Sequence, residues 1–238
     1  MILPNVRASF GRPEAGAVVR LLAGGDERAR AKVDDRLREE GLDSLLDDPR
    51  TLNAALTADH SAPSSLVFYL LVRHALLESG VDDRTLADYI SAILIEFGND
   101  DRAYRMDAVE PERFHYLVDL VAAMDSPDGR RQFLVRAHLG NYALWMSGIF
   151  PDFVTARVHR RGAPGLEYFE AMGATGYRLA ADTRMASDHG LDGLFRTAAE
   201  TFPELRVALN RVADRYLFPT SRGAVDRLLR QISDSFDG

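Results

Sequence analysis

The chain reads as an all-α protein, and three observations carry that reading. Apolar residues recur at helical spacing nearly everywhere, and no stretch alternates like a half-buried strand. No two-residue hairpin turn joins two β-rich runs. Glycines and prolines fall between the periodic segments, where helices stop and start. At 238 residues, 46% hydrophobic and 27% charged, the chain suits one compact multi-helix domain over 1–238. The polar stretch 99–110 is the one candidate subdivision.

The elements follow in order. Pro13 to about Leu22 forms a first helix, stopped by Gly24-Gly25. Asp26 caps the next, which runs to Gly41 and is charge-dense enough to be a solvated outer helix. DSLLDDPRTLNAALTAD reads as two short helices broken at Pro49. Pro63 to Ser79 is very apolar and stops at Gly80. VDDRTLADYISAILIEFG begins at an Asp cap and stops at Gly98. The polar break from Asn99 to Glu110 is read as a lid, an interface or a plain connection. Pro111 then stands at a good first position for a helix through Met124. After a turn at Asp125 to Gly129, a long helix runs from Arg130 to about Phe150. Pro151 ends it and opens a short helix to Gly162. Pro164 opens a segment through Asp188, and 191–202, 203–218 and 221–236 complete the chain, for roughly ten to twelve helices. The helix near 130–150 is expected to be central and buried.

Composition narrows function. The formal net charge of −7 works against a broad nucleic-acid surface, which needs Lys and Arg to neutralise phosphates. Lys32 is the only lysine, as a GC-rich coding sequence would produce, so an arginine at a given place carries little weight by itself. The absence of cysteine excludes disulfide frameworks, thiolate metal sites and cysteine nucleophiles. The first residues, MILPNVRASFGRPE, lack the apolar core of a signal peptide. The most apolar run, LVFYLLV from Leu66 to Val72, is far short of the roughly 20 residues of a membrane span. A cytoplasmic protein with no membrane and no nucleic-acid partner is expected.

HLGNYALWMSGIFP, His138 to Pro151, contains the only tryptophan and no charged side chain other than the titratable His138. His138, Tyr142, Trp145 and Ile149 share one helical face, with Asn141 opposite. A helix apolar all round is a buried one. Gly140 and Gly148 each weaken it by about 1 kcal/mol relative to Ala, so close approach by another backbone is the expected return. Its polar atoms need partners, since each left unpaired costs about 1–3 kcal/mol. The stretch is therefore either a satisfied internal network or a pocket lined by aromatic rings.

Other constellations are weaker. Glu112 and His115 have the Glu-x-x-His spacing of a metal-binding helix, and His74, Glu78 and Glu96 are the weak candidates to complete a site. That motif occurs once, so no metal or cofactor is assigned. RVHRR places Arg157, Arg160 and Arg161 on one face, suited either to an anion or to the negative end of their own helix. In LEYFEAMGATGYR, Gly173 and Gly176 kink the helix or admit a close neighbour. No phosphate loop, HExxH, GxSxG or EF-hand loop is present. Asp26 to Arg50 holds nine acidic and six basic residues, the wrong balance for a DNA-reading helix-turn-helix.

GNYALWMSGIFP (140–151), the Tyr-rich segment YFEAMGATGYRLAAD (168–182) and the earlier VRHALLE (72–78) resemble a set of bacterial proteins of unknown function. The resemblance runs from about Leu45 to Leu217. That set has no assigned activity, so it implies no catalytic residue. It favours a single domain because it spans the break at Asn99.

Two functions are expected in order. The first is a non-enzymatic scaffold or regulatory protein that presents a helical surface to an unknown protein partner, with a homodimer open. The second is a small-molecule-binding or catalytic helical protein, possible as a metal-dependent one. Its pocket would be lined by His138, Asn141, Tyr142, Trp145, Tyr168 and Tyr177, with Arg160 or Arg161 at the mouth for a small anionic ligand.

Overall fold

The structure is a computed structural model that describes residues 1–57, 62–106 and 112–218. Among the described residues there are thirteen α-helices and no strand. Single 3-10 turns at Arg7–Ser9 and Asp100–Tyr104 and a π-helical turn at Ala213–Leu217 supplement them. No described helix is long and apolar enough to cross a membrane. Inter-residue contacts divide the chain into two units, one of Ile2–Glu78 with Asp82–Ile95, the other of Met1, Ser79–Val81 and everything from Glu96 on.

The first unit holds α1 (Arg12–Ala23), α2 (Glu27–Glu40), α3 (Leu42–Leu46), α4 (Pro49–Thr57), α5 (Ser64–Glu78) and most of α6 (Arg84–Phe97). Local chemistry sets the breaks. Gly24 closes α1 in the left-handed conformation at φ 57°, which glycine adopts without a Cβ penalty. Asp26 caps α2 by accepting from the Arg28 amide at 2.8 Å. α1 packs on α2 and α4, and α4 on α5. A charge is buried at the centre of α5. The Arg73 guanidinium, 1% exposed, donates to both carboxylate oxygens of Asp47 at 2.7 and 2.9 Å and also to Asp82. Arg84 donates to the same Asp47 at 2.6 Å.

The second unit is built on α8 (Gly129–Ile149), capped by Asp128 through the Arg130 amide. Around it pack α7 (Leu117–Ala123), α9 (Pro151–Arg161), α10 (Leu166–Ala181), α11 (Arg184–Asp188) and α13 (Phe202–Val212), with α12 (Asp192–Glu200) on α10. α8 is the central buried helix that its composition predicts: Phe133, Val135, Leu139, Ala143 and Leu144 are wholly inaccessible. Its tightest neighbour is α10. A Cβ on Gly176 would lie 2.8 Å from the Arg136 carbonyl oxygen and 2.9 Å from the Gly140 nitrogen, so the two backbones touch there. Gly173 likewise makes room for the Phe202 ring. These glycines admit close neighbours.

Two elements differ from the sequence reading. The helix expected from Pro111 begins only at Leu117, and residues 112–115 are not helical. The Phe114 amide donates to the Tyr104 carbonyl at 2.8 Å and its ring is buried, so a long-range contact outweighs local helix propensity. The segment from Leu166 to Asp188 is two helices, since Thr183 ends one turn and caps the next through the Ala186 amide. The final expected helix, 221–236, lies outside the described residues, as do 58–61 and 107–111.

Candidate docking groove on the second unit

A groove opens where α7, α8, α9 and the start of α10 meet. Proline and glycine create its concavity. Pro151 cannot continue α8 and instead starts α9, with Phe150 at the corner. Gly162, at φ 59°, ends α9 in the left-handed conformation, and the chain turns through Ala163 and Pro164 into α10. The groove has a volume of about 120 Å³. His115, Leu117 and Val118 line one wall, Tyr142 and Met146 the floor, and Phe153, Val154, Tyr168 and Phe169 the other side.

The floor is fixed by one hydrogen bond and a cluster of tilted rings. The Tyr142 hydroxyl donates to the His115 carbonyl at 3.0 Å, tying the non-helical 112–116 segment to α8. The Tyr104 ring lies 4.8 Å from the His115 ring and 6.3 Å from that of Tyr142. Burial pushes the Tyr142 hydroxyl up to about 12, so it stays a neutral donor and is no acid-base group near neutral pH.

The mouth carries one cation. The Arg157 guanidinium lies 5.5 Å from the Tyr116 ring centre and 5.5 Å from that of Phe153. Both rings are about half exposed, Tyr116 at 53% and Phe153 at 52%. Among the described residues no carboxylate pairs with Arg157. The two rings hold the cation in place while its donors remain available, an arrangement suited to a carboxylate attached to an apolar body.

The residues singled out from sequence divide between this groove and the interior. Tyr142 and Tyr168 line the groove. His138 is 3% exposed, edge-on to Phe97 at 5.6 Å, with its ring bonded to the Ala103 backbone and its Nε2 buried without a partner. Asn141 accepts from the Tyr177 hydroxyl at 2.9 Å, and both are buried. Trp145 is half-buried, edge-on to Phe97 at 5.9 Å and Phe150 at 5.5 Å. These four, unlike Tyr142 and Tyr168, are not part of the groove lining. Arg160 is exposed on α9 away from the lining, and of Arg161 only the backbone is described.

The metal candidates do not converge. Among the described residues no three His, Asp or Glu side chains are placed to hold an ion. His74 Nε2 is occupied by the Leu46 carbonyl at 3.0 Å, and Glu78 is exposed. Glu96 accepts from Arg102 at 3.1 Å and Glu112 from Arg131. The Glu112/His115 spacing loses its meaning because those residues are not on a helix.

Arg157 is the residue that sequence reasoning placed in a basic cluster and then passed over for its neighbours. A signal existed: Phe153 precedes it by four positions, the spacing at which helical side chains meet. Compared with known proteins, the chain matches no family model, no curated protein and no solved structure.

Proposed function

We propose that the protein is a non-enzymatic interaction protein whose groove at Tyr142 and Arg157 docks a helical segment carrying apolar side chains and a carboxylate. One observation carries this: an arginine with no carboxylate partner among the described residues, held between two half-exposed aromatic rings at the edge of an apolar groove. The size of the groove favours side chains over a whole ligand. Small-molecule sites run to roughly 300–1,000 Å³, and this groove is about 120 Å³. That suits one or two apolar side chains from a partner, with the carboxylate on Arg157 fixing register. The resemblance to bacterial proteins of unknown function adds no activity, so the proposal rests on the groove.

The test is selection of helical peptides from a random display library on the full chain. Selected peptides should share two apolar residues one turn apart and a nearby acid. Their affinity should fall at least about tenfold, or about 1.4 kcal/mol, in Arg157→Glu and in Phe153→Asp, and hold in Arg160→Glu. Peptides that bind all three variants equally would defeat the proposal. A small anion that co-purifies in a native mass spectrum and disappears in Arg157→Glu would assign the groove to a small ligand instead.

A further inference from the structure

The surface around the groove carries two unmatched charges of opposite sign. Arg157 stands at the mouth on α9, its guanidinium between the rings of Tyr116 and Phe153, with no carboxylate partner among the described residues. Asp119 is exposed in the first turn of α7 and has no cation partner among them either. Both flank the same floor residue. Burial is the main cause of the raised Tyr142 pKa, and Arg157 and Asp119 both act on that hydroxyl, the first lowering it and the second raising it. Between the two charges the surface is apolar. Tyr116, Val118 and Phe153, three of the exposed large apolar side chains among the described residues of the second unit, all line the groove. An exposed apolar cluster of this kind marks an interaction site.

The docking reading asks for a helical segment that bears apolar side chains and one carboxylate. α7 is itself such a segment. Val118 is 62% exposed, Ala122 is exposed one turn further, and Asp119 stands next to Val118. Val118 and Ala122 are four apart and Asp119 and Ala122 three, so the three share one face of the helix. The same surface therefore presents an apolar groove with a cation and, on its wall, an apolar helix with a carboxylate. A surface that offers both halves of a contact is complementary to itself. That is what a two-fold interface requires, since there a residue that meets a second residue of the other copy is met by it in return.

We propose that the groove's occupant is a second copy of this chain, docked about a two-fold axis with α7 of each protomer in the groove of the other and Asp119 of each on the partner's Arg157. This rests on the docking reading above and names the partner. Two ion pairs form, one on each side of the axis, with the apolar side chains between them. Each pair is locally neutral, so the −7 of each chain acts only at longer range, where salt screens it. Tyr116 and Phe153 already hold each guanidinium in place, so little side-chain freedom is lost on pairing. A seven-residue helix from each side makes a small interface, of the kind that assembles and dissociates. An external helix of the same chemistry then competes with the second copy for one surface.

Sedimentation velocity of the full chain from about 1 to about 300 µM, a range that brackets micromolar affinities, reads the assembly. The parent should pass reversibly from monomer to dimer. Arg157→Glu and Asp119→Arg should each raise the dimer Kd at least about tenfold, and Arg160→Glu should leave it unchanged. An equimolar mixture of Arg157→Glu and Asp119→Arg should recover the dimer, because both ion pairs re-form in the mixed species, one of them with its signs exchanged. Loss in Asp119→Arg alone would also follow from a weakened α7, whose first turn favours an acid; recovery on mixing would not. If Asp119→Arg loses helix by circular dichroism, Arg157→Glu carries the test alone. A parent that stays monomeric throughout the range overturns the proposal. So does a dimer that Arg157→Glu leaves intact, or a mixture of two folded variants that stays monomeric. The two proposals fail separately. Peptides that dock on a monomeric chain remove only the second copy, and a dimer recovered by mixing, with no docking peptide selected, removes only the external partner.

Discussion

His138 shows how much one side chain costs and what it controls. Desolvation is the largest cause lowering its pKa, from 6.5 to about 3, and the Arg102 charge adds to it. The ring is therefore neutral in the folded protein at any ordinary pH. The unfolded chain takes up a proton near pH 6.5 and the folded chain only near 3, so stability falls as pH drops through that window. The slope is about 1.4 kcal/mol per pH unit once the unfolded histidine is fully charged. In His138→Phe this contribution disappears. At pH 8 the variant should lie within about 1–2 kcal/mol of the parent, since it loses the Ala103 bond but also removes a buried, unpartnered nitrogen. Below about pH 5, where this contribution has reached about 2 kcal/mol, it should become the more stable of the two. Urea unfolding at several pH values measures this, and parallel stability–pH curves for the two proteins would rule it out. His74, also held below its ordinary value by burial, keeps its own slope in both.

At the scale of elements, the close crossing of α8 and α10 depends on glycine. Gly176→Ala would push a methyl against the Arg136 carbonyl and the Gly140 amide, which are backbone and cannot rotate away. The expected loss is about 1–3 kcal/mol. Gly193→Ala, in α12 with nothing within 4 Å of the added carbon, is the control. It should gain up to about 1 kcal/mol from helix propensity and a less free unfolded chain. Chemical denaturation with an unchanged m-value reads both, and an alanine tolerated at Gly176 would mean the helices can part freely. Most element boundaries were legible because their signals are local: Gly24 and Gly162 as stops, Asp26 as a cap, Pro151 as both a stop and a start. The start of α7 was not, because Pro111 and the residues after it read as a good helix opening. What prevails there is the Phe114–Tyr104 pairing, a contact between residues that no local pattern links. The groove was only partly legible for the same reason. Tyr142 and Tyr168 were nominated from their own helices, but the lining comes from five separate segments, and only the fold brings them together. Buried His138 and Asn141 were legible as polar groups needing partners on a buried helix, whereas the partners themselves, such as Tyr177 for Asn141, followed from packing.

At the scale of the molecule, charge decides which partners are open to it. The chain carries a formal −7, and many of its arginines are already committed to carboxylates. Arg36 is bonded to Asp48, Arg73 to Asp47 and Asp82, Arg131 to Glu112, and Arg206 to Glu170. A guanidinium so engaged cannot neutralise a phosphate without giving up its carboxylate. Non-specific binding to duplex DNA needs several phosphates neutralised at once and reaches Kd values of about 10⁻⁴ to 10⁻⁶ M at physiological salt. Arg157, which has no carboxylate partner among the described residues, supplies one contact and sits in a groove lined mostly by apolar side chains. Fluorescence anisotropy with a labelled duplex should therefore show no saturation up to about 100 µM protein at physiological salt. A saturable curve with steep salt dependence would contradict this, since the slope counts phosphates neutralised and would require a basic surface made of several unpaired arginines. The proposed apolar helical partner with one carboxylate would meet one cation in the groove, and the surrounding negative field would disfavour a more acidic one. Selectivity then rests on the pairing at Arg157 together with the fit of the apolar side chains below it.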